Sequence, residues 1–174
     1  MTKREQSLFD VIRDDNNKLY DKMIKEIDDI SKIKDDRDFD LLLIAAYSSN
    51  LYVVKDLIKR KVNINSIIKD GDNALHFAAY NNKPKIAEVL IKAGIDINHK
   101  GYEDRVPITL AITEDSWEAF EVIYKAKPDM EIDNDVNRHS LDYIRLKPLK
   151  DKKKYEKIMK RTKVGKYADL LRWF

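Results

Sequence analysis

Residues 68–100 read IKDGDNALHFAAYNNKPKIAEVLIKAGIDINHK, and the fold turns on how they are read. Asp70-Gly71 is a turn signal. Asn73 is placed to cap a helix, its side-chain oxygen accepting an otherwise free backbone N–H. Leu75, Phe77, Ala78 and Ala79 give that helix an apolar, tightly packable surface. Asn81-Asn82 breaks it, and Pro84 suits the first turn of a second helix, where a missing N–H costs nothing. Ile86, Val89, Leu90 and Ala93 recur at helical spacing, and Gly94 is placed to end the helix in a left-handed conformation. The unit is turn, helix, loop, helix, exit. Two such short helices cannot bury both faces alone, so a copy is expected on each side.

A step of 33 residues finds those copies without a gap. Ala78-Ala79-Tyr80 maps back to Ala45-Ala46-Tyr47 and forward to Ala111-Ile112-Thr113. Leu75 maps to Leu42 and Ile108, Leu90 to Leu57 and Ile123, and Asp96 to Asn63 and Asp129. One further step reaches Phe9, Val11, Ile12, Met23 and Ile24 on one side, and Leu141, Tyr143 and Ile144 on the other. The chain divides into repeats over residues 2–34, 35–67, 68–100 and 101–133, a terminal fifth over 134–163, and a C-terminal cap over 164–174. All lie in one domain, 1–174.

Asp-Gly-x-Asn-Ala-Leu-His-Phe-Ala-Ala, then Ile-Ala-Glu-Val-Leu-Ile-Lys-Ala-Gly-Ile-Asp-Ile-Asn, resembles an ankyrin repeat. That family's T-P-L-H-x-A signature appears as Asn73-Ala74-Leu75-His76-Phe77-Ala78, and the Asn keeps a capping side chain. The resemblance covers nearly all of residues 2–145. It implies an all-α ankyrin-repeat solenoid of helix-turn-helix units joined by hairpin-like turns. It also implies a non-enzymatic module that meets protein partners at its turn tips and on the concave face of its first helices. The signature His, here His76, has a hydrogen-bonding role within and between repeat turns in that family.

Local details follow from this register. The first helix is expected over residues 5–13, with Leu8, Phe9, Val11 and Ile12 inward. The second is expected over 17–29, with a stripe of Leu19, Tyr20, Met23, Ile24 and Ile27. Arg13 and Asp21 fall where the third repeat has Ala79 and Ala87, which fits an N-terminal cap with one wet face. Asp40 is a cap residue, and His139 takes the same position in the fifth repeat. Lys61 and Lys127-Pro128 replace the Gly that ends the second helix. Residues 150–163 form the last helix, displaced by a few residues, with Tyr155, Ile158 and Met159 inward.

Composition narrows the function. Apolar residues make up 43% and charged ones 37% of 174, enough for a buried core in a thin, highly charged solenoid. With no Cys, thiol catalysis, disulfides and Cys-ligated zinc are excluded. The N-terminus has no apolar run of a signal peptide, and no segment approaches membrane-spanning length, so a cytoplasmic, monomeric protein is expected. Gly occurs only at 71, 94, 101 and 165, which rules out a phosphate-cradling loop. His76, His99 and His139 sit at three different repeat positions and make no metal spacing. Asp129, Glu131, Asp133 and Asp135 alternate like the start of a calcium loop, but Asn134 and Ser140 stand where Gly and Glu are required. No catalytic residue, metal or cofactor is nominated.

Two charge features remain. Residues 150–166 hold nine basic residues against two acidic ones. Such a run can meet nucleic acid or an anionic membrane, although the commoner role is a solvated helix face. Conversely, the tips and first-helix positions from 14 to 138 carry thirteen acids and six bases, with aromatic residues among them. The candidate protein-binding residues are Phe39, Tyr47, Asp70, Asp72, Tyr80, Asn81, Tyr102, Glu103, Asp104, Arg105, Glu114 and Asp115. The expected partner is a basic protein, with the chain acting as an immunity-like inhibitor. The alternatives are nucleic-acid or anionic-membrane binding through 150–166, or an adaptor of a pathogen or virus.

Overall fold

The computed structural model describes residues 3–162; the expected cap over 164–174 lies outside them. Its helices fall into five antiparallel pairs: α1 (Lys3–Arg13) with α2 (Asn17–Met23), α3 (Leu41–Tyr47) with α4 (Leu51–Lys59), α5 (Ala74–Tyr80) with α6 (Pro84–Lys92), α7 (Pro107–Thr113) with α8 (Trp117–Lys125), and α9 (Ser140–Leu146) with α10 (Leu149–Thr162). The architecture is all-α. Two isolated β-bridges, Lys34 to Asp40 and Ile67 to Asn73, close turn tips.

Capping sets where these helices begin. The Asn73 side chain accepts the N–H of Leu75 (3.0 Å) and of His76 (3.2 Å), and His76 returns its Nδ1 to the Asn73 N–H at 3.2 Å. Three backbone donors at the start of α5 are thereby satisfied. Asp40 does the same for α3 through Leu43 N–H at 2.9 Å. Left-handed residues then mark the period. Asp38, Gly71, Asp104 and Asn137 have positive φ at the tips, Ser49, Asn82 and Asp115 in the loop within each pair, and Lys61, Gly94 and Lys127 at the exits. Lys61 and Lys127 therefore make the same exit turn as Gly94, at φ 58° and 62°.

The first helices stack on one another in the order α1, α3, α5, α7, α9, and α4, α6, α8, α10 form the outer row. The contact surfaces are alanines and branched aliphatics: Ala45, Ala46, Ala78, Ala79, Ala111 and Ile112 are fully buried, as are Leu57, Leu90 and Ile123. Polar ties repeat with the stack. Asn65 accepts Asp96 N–H at 2.8 Å and Asn98 accepts Asp129 N–H at 2.9 Å, one repeat on. The carbonyls of Tyr47, Tyr80 and Thr113 accept from Asn81 (3.1 Å), Ser116 (3.4 Å) and Lys147 (3.2 Å) of the following repeat.

The ends depart from the sequence reading. In the first repeat, left-handed Asp15 precedes Ser49 by 34 residues rather than 33. Tyr20, not Asp21, therefore occupies the position of Ala87; it is fully buried and its hydroxyl donates to Asp56 at 2.8 Å. Arg13 aligns with exposed Tyr47 rather than with an alanine, and is itself exposed. The α-helix after Asn16 ends at Met23 and tightens into a 3-10 turn, Ile24–Glu26, short of residue 29. Leu19 is 40% exposed, outside the apolar stripe. At the other end, Pro148 stands where Asp115 would recur, and proline's fixed negative φ forbids the left-handed loop. The chain instead turns directly into α10, shifted by one residue, with Tyr155, Ile158 and Met159 buried.

Candidate functional site

The residues after Ile68 form the tip of the third repeat, and those after Gly101 the tip of the fourth. The tips lock to one another through the backbone. Asp72 Oδ1 accepts Tyr102 N–H at 2.9 Å, His99 Nε2 donates to the Gly71 carbonyl at 3.0 Å, and Glu103 O accepts Asp135 N–H at 3.3 Å. Gly101 is required by this approach: a Cβ there would lie 2.1 Å from Asp72 Oδ1 and 2.7 Å from His76 Nε2.

His76 fastens the tips to the helices. It is fully buried, and its Nε2–H donates to the Arg105 carbonyl at 3.0 Å. Burial holds its pKa down at about 4, against the weaker opposing pull of Asp72, whose carboxylate lies 4.0 Å away. The ring is thus a neutral strut at physiological pH, not a proton carrier.

Between the tips and the first helices lies an open groove of about 400 Å³. Its walls are Asp70, Asp72, Tyr102 and Arg105 on the tip side and Tyr47, Phe77, Tyr80, Leu110 and Glu114 on the helix side, with His76 beneath. Tyr47, Tyr80 and Tyr102 are each about half exposed. Phe77 is buried and carries Tyr47 edge-on at 5.5 Å between ring centroids. Tyr47 and Tyr80 lie one repeat apart at the same helix position, which is why both reach the same wall.

Seven of the sequence candidates meet in this groove: Tyr47, Asp70, Asp72, Tyr80, Tyr102, Arg105 and Glu114. The others are placed differently. Phe39 is only 4% exposed and stacks on Phe77 at 5.4 Å, so it supports the wall from behind rather than offering an anchor. The Asn81 amide donates to the Tyr47 carbonyl as a repeat tie. Asp115 pairs with Lys147 at 2.9 Å, in the loop toward the fifth repeat. Glu103 pairs with Arg105 at 3.1 Å and Asp104 with Lys100 at 3.4 Å. Of the acids lining the groove, Asp72 is engaged by Tyr102 N–H, whereas Asp70 and Glu114 have no ion-pair partner among the described residues. Phe77 and Leu110, which the sequence reading took only as core, line the groove as well. Both are buried, and the small edge that each turns to the groove has no one-dimensional signature.

As far as Thr162, the basic run is a packed helix with a wet face. Lys154 Nζ sits 3.8 Å from the Trp117 ring centroid, Arg161 pairs with Glu121 and Lys160 with Glu156. Among the described residues, no group of His, Cys, Asp or Glu is arranged to hold a metal, and no helix is long and apolar enough to cross a membrane.

A family model described as ankyrin repeats, in three copies, matches residues 8–135. The chain is an ankyrin-repeat protein. The match runs from within α1 to beyond α8, and so contains every groove residue. Among curated proteins, alpha-latroinsectotoxin-Lt1a of Latrodectus tredecimguttatus is 39% identical over 71 residues, 40% of this chain and 5% of the toxin. Alpha-latrocrustotoxin-Lt1a of the same organism is 38% identical over 71 residues, with the same two shares. The chain thus spans about one twentieth of the length of these relatives. An ankyrin-repeat stack is a protein–protein interaction module, and this one presents its groove on the repeats that the family model matches.

Proposed function

We propose that this ankyrin-repeat protein binds a basic protein partner in the groove between its third and fourth tips, and acts by occupying that partner. The observation that carries the reading is the pairing pattern. Among the described residues Asp70 and Glu114 have no ion-pair partner, Glu114 accepting only from the Thr113 hydroxyl at 3.4 Å, while the neighbouring acids Glu103, Asp104 and Asp115 are neutralised within the chain. Unpaired carboxylates beside exposed tyrosines are the complement of Lys- and Arg-bearing surface, since aromatic faces attract cations. An inhibitor or immunity-type antidote of a protein that acts on polyanions fits this chemistry, as does an adaptor. A cytoplasmic, monomeric protein without catalysis belongs to the same reading. Binding of nucleic acid or membrane through 150–166 is less well supported, because Lys154, Lys160 and Arg161 already have aromatic or acidic partners.

The test is affinity capture from the native host, followed by association kinetics with the captured protein. Reversing the groove charge with Asp70→Lys and Glu114→Lys should slow association at least tenfold with little change in melting temperature, since both residues are exposed. Association of the unsubstituted protein should slow as the Debye length shrinks to about 3 Å at 1 M salt. A partner that binds the reversed protein equally fast, without salt dependence, overturns the reading.

A further inference from the structure

We infer that the groove takes an extended peptide segment bearing two cationic side chains, one seated at Asp70 and Tyr102, the other at Glu114 and Tyr80. The inference rests on the protein-binding reading above and specifies its ligand. Asp70 and Tyr102 stand at the tips, before the first helices begin; Tyr80 ends α5, and Glu114 follows the last residue of α7. Each end of the groove therefore offers one carboxylate without an ion partner among the described residues and one half-exposed phenol ring, the Tyr102 ring already bearing the Glu103-paired Arg105 guanidinium 5.9 Å from its centroid.

Dimensions decide the backbone of the ligand. A seven-residue helix such as α7 is about 10 Å long at 1.5 Å per residue, and the two acidic residues lie beyond opposite ends of the first helices. A groove of about 400 Å³ stretched over that length has a cross-section of roughly 40 Å². An extended strand occupies roughly 47 Å², from its spacings of about 4.7 and 10 Å. An α-helix, about 10 Å or more in diameter, needs roughly 80 Å². The groove's section is close to the first, its open side leaving room for the small excess, and only about half of the second. In an extended chain, side chains two residues apart share a face about 7 Å apart. Two arginines at that spacing, with flexible stems, reach both carboxylates. The aromatic floor of Phe77 and Tyr47 would lie under the residue between them, which favours a small or apolar side chain there.

Fluorescence anisotropy on the full chain, at low salt, tests this with labelled Gly-Arg-Gly-Arg-Gly, Gly-Arg-Arg-Gly-Gly and Gly-Glu-Gly-Glu-Gly. The first peptide should bind, the second about threefold more weakly, and the acidic one not at all. Asp70→Asn with Glu114→Gln preserves shape and should weaken the first peptide at least tenfold. Tyr80→Ala should weaken it about threefold to tenfold by removing a cation–aromatic contact. The control pair Asp14→Asn with Asp28→Asn removes the same charge from exposed sites outside the groove and should change affinity less than twofold. Thermal melts verify that each variant is folded. Equal weakening by the control pair means diffuse charge attraction and overturns the inference, as does equal binding of the first two peptides. If the peptides fail to bind but capture of the protein partner still depends on Asp70 and Glu114, the groove meets a folded surface. That outcome overturns the extended ligand and leaves the binding-module reading intact; loss of both dependences overturns the two together.

Discussion

His76 couples fold stability to pH. Its folded pKa of about 4 lies below the unfolded value of 6.5, because burial disfavours the charged ring. The unfolded chain therefore binds the extra proton first as pH falls. The stabilisation is complete above pH 6.5 and is lost progressively as pH drops toward about 4, amounting to about 3 kcal/mol at 1.36 kcal/mol per unit. Denaturant unfolding between pH 7.5 and 4 should show this loss, and His76→Asn should flatten it while lowering stability at neutral pH. A second prediction concerns Gly101. Its absent side chain leaves room for Asp72 and His76, so Gly101→Ala must displace both and should cost about 1–3 kcal/mol as overpacking. A thermal melt indistinguishable from that of the unsubstituted chain would show that the tips yield freely.

At the scale of the element, the helix exits repeat one geometry with different residues. Gly94 holds φ +87° with open space where a Cβ would go, so Gly94→Ala meets no neighbouring atom and its cost is the strain of an L-residue in the left-handed region. It should cost about 1 kcal/mol, the penalty of a left-handed L-residue. Lys127 already bears that penalty at φ 62°. Lys127→Gly should consequently be neutral or stabilising by a few tenths of a kcal/mol, because strain relief is offset by added freedom in the unfolded chain. Comparing the two melting temperatures checks the shared geometry, which predicts opposite or unequal shifts. The last element obeys a different local rule. Pro148 removes the left-handed loop, and α10 compensates by packing Tyr155 between Trp117 and Phe120 at 4.3 and 4.8 Å, with its hydroxyl donating to the Ile112 carbonyl at 3.0 Å.

At the scale of the molecule, the main helix–helix contacts among the described residues lie within a repeat or between neighbouring repeats, so a break in the middle divides the stack. Ala78 is fully buried at the centre of the row formed by α3, α5 and α7. Ala78→Arg would bury a charge without a partner and should unfold the chain cooperatively under native conditions. An unchanged midpoint would mean that α5 does not face its neighbours through this residue.

The sequence alone determined the period, the first-helix surfaces and the helix starts. These depend on residues a few positions apart, or on identity recurring every 33, and both are visible in one dimension. It also brought seven of the twelve candidates to the groove, because in a repeat the same position always faces the same way. The register of the first repeat escaped it, since Phe9, Val11 and Ile12 are buried on either alignment and only the loop at Asp15 separates them. Tertiary structure decided which acids are available. Whether Asp72 meets Tyr102 N–H, Asp115 meets Lys147, or Asp70 and Glu114 find no ion-pair partner among the described residues depends on groups brought close by stacking, about one repeat away in the chain. Burial of Phe39 was settled the same way, by the ring of Phe77 from the next repeat lying 5.4 Å from its own. Composition fixes how many charges the chain carries; only the packing of one repeat on the next fixes which of them remain unpaired.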